Sequence, residues 1–156
     1  MATTKQNIST LVDSTDTNYN IESCHNAAVS GDLELLKKLH KKNIPWSTRT
    51  CGYAAEYGHL PCLKFLHESG CEWDFCTVRN AAKCAAHLYD NPKPTKEKKQ
   101  EYFDCATYAV KNGCSIDGAS WEAKYYRNYE ISRYLEDIER SAAQQYKSCL
   151  FYLLIY

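Results

Sequence analysis

The chain has 156 residues, 44% hydrophobic and 24% charged, and its 19 basic residues balance 19 acidic ones. That length suits one domain, with enough apolar side chains for a packed core. Zero net charge excludes a strong global pull toward nucleic acid or an acidic membrane surface.

Residues 1–20 begin MATTKQNIST. They lack the apolar stretch of a secretory signal and are expected to form a flexible tail. Nine cysteines is an odd count. Without a secretion signal this favours reduced thiols over a disulfide framework, and so an intracellular, cytoplasmic chain.

From about residue 22 the chain repeats itself. Laid over Cys51–Trp73 at an offset of 27, Cys24–Trp46 matches at ten of 23 positions, among them Cys24, Ala27, Ala28, Gly31, Leu36, His40 and Trp46. The units run about 22–48, 49–75, 76–118 and 119–138. The third keeps the register at Ala81-Ala82, loses it, and regains it at Phe103-Asp104-Cys105. A 16-residue insertion, about 85–100, accounts for the break. It contains Asp90-Asn91-Pro92-Lys93-Pro94, which are loop formers. Its end, Lys93 to Lys99, reads as a solvated loop and helix start, with Thr95 capping a lengthened second helix. The fourth unit is degenerate but keeps Ile131, Tyr134, Leu135 and Ile138 at helical spacing.

Each unit reads as helix–turn–helix. Ser23, Thr50, Thr77 and Ser120 are expected to be N-caps, their hydroxyls accepting from free backbone N–H groups. The alanine pair keeps the first helix thin. Gly31 and Gly58 mark the reversal, where positive φ is cheap only for glycine. Pro61 suits the first turn of the second helix, whose polar stripe is Pro61, Lys64 and Glu68. A unit of this size cannot bury its own apolar surface, so the fold class is all-α, with about four units stacked into a solenoid. Residues 139–156 form a C-terminal cap helix or tail. Their apolar run, Cys149 to Tyr156, is far short of the roughly 20 residues that span a bilayer.

The phrase Thr50-Cys51 … Ala54-Ala55 … Gly58-His59-Leu60-Pro61-Cys62-Leu63-Lys64-Phe65-Leu66-His67-Glu68 … Gly70-Cys71-Glu72-Trp73-Asp74 resembles ankyrin repeats. More narrowly, it is similar to the short Cys- and Trp-bearing units of large DNA viruses of protists. The unit here is shorter than the usual ~33 residues. The resemblance implies a non-enzymatic scaffold, monomeric and without a cofactor, in the host cytoplasm if the chain is viral. It implies a protein partner on the concave face built by the first helices and the loops before them; no nucleic acid is expected. Positions there that vary between units are the candidate partner-binding residues: Asn26, Tyr53, Glu56, Tyr57, Glu72, Asp74, Phe75, Arg79, Asn80 and Lys83.

The reactive side chains weigh against catalysis. His67 shares its repeat position with His40 and Val110, which suits packing. His59 aligns with Asp32 and Tyr102 at the start of the second helix, where a local backbone bond is expected. Six cysteines, Cys24, Cys51, Cys62, Cys71, Cys105 and Cys114, stand at positions that take leucine, isoleucine, valine or cysteine in other units. That is core behaviour. Trp46 and Trp73 align with Ile116 and read as packing anchors. The competing reading is a zinc or thiol-based sensor using Cys71, Cys76, Cys84 and His87, since zinc takes four Cys/His ligands. Its spacing contains no C-x2-C pair.

Overall fold

The computed structural model describes residues 19–83 and 95–155, the last ten of these by their backbone alone. Among them are eight α-helices: α1 Ile21–Ser30, α2 Leu33–Lys41, α3 Thr48–Glu56, α4 Leu60–Glu68, α5 Phe75–Lys83, α6 Lys96–Lys111, α7 Ala119–Tyr125 and α8 Tyr129–Ile155. No described residue forms a strand. None of the described helices is long and apolar enough to cross a membrane.

The odd-numbered helices pack side by side in chain order, α1 on α3, α3 on α5 and α5 on α7. The even-numbered helices form the second layer, α2 on α4, α4 on α6 and α6 on α8. The core lies between the layers. In it Leu36, Leu39, Leu63, Leu66, Ile131 and Leu135 are fully buried, and the alanines of the first helices line the opposite side. Small side chains there let neighbouring backbones approach, while each buried leucine contributes about 1.5–3 kcal/mol.

Helix starts differ from the sequence expectation. Ser23 and Thr50 are not N-caps; they lie one turn inside their helices. Asn20 and Ser47 hold the cap positions. The backbone N–H of Asn20 donates to the Ser23 hydroxyl at 3.1 Å, and that of Ser47 to Thr50 Oγ1 at 3.2 Å. This is the reciprocal half of a capping box, which in sequence looks like a cap displaced by three residues. In α5 the Thr77 N–H donates to the Asp74 carbonyl, and the buried Thr77 hydroxyl has no hydrogen-bond partner among the described residues. Ser120 follows the cap residue Gly118 into α7 and donates to Glu139 of α8 at 2.7 Å.

Two boundaries also shift, and the expected cap at Thr95 is found. Tyr19, inside the expected tail, packs on the fold, its ring lying under Lys38 and Lys42 of α2. The end of the insertion is built into the fold. Thr95 caps α6, accepting from the Lys98 N–H at 3.2 Å, so the helix starts seven residues before Phe103. Residues 84–94 lie outside the described residues. Finally, α8 runs without a break across 138/139, so the fourth unit and the expected C-terminal helix are one element. Glu139 to Gln145 are all exposed. Seven consecutive residues are about two turns, so no described element covers α8 there.

The turn glycines carry a contact between units. Gly31 has φ of +73°, and a Cβ there would stand 2.7 Å from the His59 ring. Gly58 has the same φ, and a Cβ there would stand 3.3 Å from the Tyr102 ring. Each turn is thus roofed by a flat ring of the next unit, His59 at the start of α4 and Tyr102 from within α6. Gly31→Ala is expected to lower stability by about 2 kcal/mol through backbone strain and the ring clash. A urea midpoint unchanged from wild type would contradict that contact.

Candidate interaction surface

The two histidine–tryptophan pairs belong to the scaffold. His40 stacks on Trp46 with centroids 4.6 Å apart, and His67 on Trp73 at 3.6 Å, both within 6° of parallel. A ring of the following unit closes each pair edge-on, Phe65 on the first and Tyr108 on the second. In the third unit both positions turn aliphatic together, Val110 and Ile116. A stacked pair loses its purpose if only one ring is kept.

His59 does more than expected. Its Nε2 lies 3.0 Å from the carbonyl oxygen of Val29, thirty positions earlier. The bond therefore joins two units and is not local. Burial, then the Lys98 ammonium, holds the His59 imidazole below its ordinary value, against the opposing pull of the Val29 carbonyl. His25 is lowered too, by burial and then by Arg49. A histidine whose folded pKa is depressed stabilises the fold above the unfolded value near 6.5, and that contribution is lost as pH falls through the folded pKa. Stability is expected to decline below about pH 6.5, and His59→Gln to flatten the decline; urea midpoints from pH 5 to 8 test it.

The cysteines follow the repeat. Cys24, Cys51, Cys62, Cys71, Cys105 and Cys114 are buried, and with Cys76 they are free thiols. Three of them also act as donors, which an aliphatic side chain in their place would not; Cys51 donates to the Cys71 carbonyl at 3.9 Å. Cys71 donates to the Ser47 carbonyl at 3.3 Å, and Cys114 to the Asp74 carbonyl at 3.0 Å, tying each loop to the helix start before it. Burial pushes Cys62 and Cys114 up to about 11 and Cys105 to about 12. The Cys71 thiol beside it, together with burial, drives Cys51 up as well. Slow alkylation of these four is expected at pH 7, with half-buried Cys76 labelled before the six buried cysteines; peptide mapping after timed alkylation reads the order. Of the sensor residues, Cys71 is turned to Ser47 and Cys76 lies in the first turn of α5. Cys84 and His87 lie outside the described residues. Among the described residues no three His, Cys, Asp or Glu side chains cluster closely enough to hold a metal ion.

The candidate partner-binding residues divide by what they touch. Asp74 is taken up in the fold: its carboxylate accepts the Cys76 N–H at 2.9 Å and its carbonyl accepts from Cys114. Arg79 forms an ion pair with Glu122 of α7 and lies over the Phe75 ring at 5.4 Å. Asn80 faces Gly52, where a Cβ would stand 3.1 Å from its amide nitrogen. Tyr53 is half-buried and packs edge-on against His25. Glu56 and Lys83 are half-buried on α3 and α5. Asn26, Tyr57, Glu72 and Phe75 are exposed. Tyr57 also lends its carbonyl to Lys98 of α6 at 2.7 Å.

The largest exposed apolar side chains were not among those candidates. Trp121, Tyr125 and Tyr129 are 63%, 66% and 62% exposed. Trp121 stacks on Tyr125 with centroids 5.2 Å apart, and Tyr126 meets Tyr125 edge-on. The signal is in the sequence, three aromatics at i, i+4 and i+8, but the degeneracy of the fourth unit hides it. Matching the buried positions Cys24, Ala27 and Ala28 to Ala119, Glu122 and Ala123 assigns the rows. Trp121 then falls in line with Asn26, Tyr53 and Asn80, and Lys124 with Val29, Glu56 and Lys83. Comparison with protein-family models, with curated proteins and with solved structures finds no match to this chain.

Proposed function

We propose that the chain is a non-enzymatic, ankyrin-like repeat protein that holds another protein on the surface formed by its first helices, α1, α3, α5 and α7. The observation that carries this reading is the row Asn26, Tyr53, Asn80, Trp121. Its members occupy equivalent positions on four neighbouring helices yet run from asparagine to tyrosine, back to asparagine and then to tryptophan, while the alanines and leucines behind them recur. The scaffold is held constant and one surface is varied, as expected where stacked units present a binding face. Exposed tyrosine and tryptophan on that face are the residue types that dominate binding energy at protein interfaces.

The test is recovery of partners from the native cell by affinity purification, wild type against a Tyr53→Ala/Tyr57→Ala double variant. At least about tenfold less partner is expected on the variant, in keeping with the loss of aromatic anchors. Equal recovery of the same partners would overturn the reading. Arg79 is unsuited to this test because its removal strips the counter-ion from buried Glu122.

A further inference from the structure

The two ends of this surface differ in charge and in apolar exposure. In the row that holds a side chain from each first helix, α1 offers Val29 and α3 Glu56, whereas α5 and α7 offer Lys83 and Lys124. The one acid of α7, Glu122, is buried and paired with Arg79, so it leaves Lys124 uncompensated within its own helix. Beside these lysines lies the stacked Trp121–Tyr125 pair, more exposed than any large apolar side chain on α1, α3 or α5. Exposed rings favour an apolar side chain, and lysines favour carboxylates. Resting on the protein-binding reading above, we propose that the α5–α7 end of the surface takes an acidic, leucine-bearing segment of the partner protein. The aromatic pair seats its apolar side chain, and Lys83 and Lys124 meet its carboxylates. A single-stranded nucleic acid is also anionic and stacks on aromatics. It is disfavoured because Trp121 and Tyr125 already stack on each other, which leaves no slot between them for a base, and because the chain as a whole is neutral.

The experiment is fluorescence anisotropy on the full chain with three labelled probes: a peptide alternating glutamate and leucine, the same peptide with lysine for glutamate, and oligo-dT. The glutamate peptide is expected to bind, with affinity reduced at least about tenfold by Trp121→Ala and by Lys124→Glu. The other two probes are expected not to bind. Both substitutions are at exposed positions; circular dichroism checks folding, and Tyr125→Ala replaces Trp121→Ala if that variant is unfolded. Failure of the glutamate peptide to bind, binding indifferent to both substitutions, or tighter binding of oligo-dT would each overturn the proposal. Failure of this inference is separable from failure of the broader reading. If native partners are lost by Tyr53→Ala/Tyr57→Ala but kept by Trp121→Ala/Lys124→Glu, only the assignment to this end falls. If neither double variant loses them, both fall.

Discussion

Leu66→Ala is expected to lower the unfolding free energy by about 3–5 kcal/mol, the range for truncating a buried leucine where the surroundings relax only partly. Leu66 has no exposed surface and sits on α4, which packs against both α2 and α6. The loss is a large share of the roughly 5–15 kcal/mol that holds an ordinary domain together. Urea denaturation followed by helical circular dichroism measures it. Lys41→Ala, at an exposed position of α2, is the control and should change stability by no more than about 0.5 kcal/mol. The repeat adds a sharper test. Ala109, also fully buried, occupies the position of Leu66 in the third unit. The core around α6 is therefore filled with alanine in place. Adding Ala109→Leu to Leu66→Ala should not restore the lost packing; it overfills one site while the other stays empty, at a further cost of about 1–3 kcal/mol. A double variant more stable than Leu66→Ala would contradict this placement.

Arg79→Ala is expected to cost about 2–3 kcal/mol. The Glu122 side chain is 7% exposed and that of Arg79 is 32% exposed, so removing the guanidinium leaves a nearly buried carboxylate without its counter-ion. A fully buried pair broken in this way costs about 3–5 kcal/mol; the partial exposure of Arg79 puts this one lower. Glu122→Gln should cost less, because the amide oxygen still accepts from the guanidinium and no bare charge is buried. A double-mutant cycle with Arg79→Ala and Glu122→Ala measures the coupling by urea denaturation. Strictly additive effects would mean the pair does not join α5 to α7 as the structure has it.

The two predictions bear on different things that a sequence can hold. The core was legible because the repeat compares each position with itself. Cysteine that trades with leucine or valine, and a histidine and tryptophan that become valine and isoleucine together, identify packing before any coordinates. The Arg79–Glu122 pair was not legible. Its partners are 43 positions apart, across the insertion and in the degenerate unit, so no repeat comparison joins them. For the same reason Arg79 read as a free surface residue. The aromatic stripe of α7 was missed because the fourth unit offers no second copy against which to judge which positions are inside. The caps of the first two units erred by three residues because a capping box places hydrogen-bonding side chains at both ends of the same turn.

Sequence by itself determined the helical class, the unit length, the turn glycines and most of the buried set. These follow from local spacing and from self-comparison, which report what every unit needs in common. Only the tertiary structure decided what joins one unit to the next: the His59 bond to Val29, the ring over each turn glycine, the thiol donors to the loop carbonyls and the ion pair across α5 and α7. Such contacts depend on which side chains are brought within a few ångströms by stacking, and that distance has no fixed counterpart in sequence separation. The same holds for the surface. Which side chains remain exposed along the first helices is settled only once each helix has buried its own face against its neighbours.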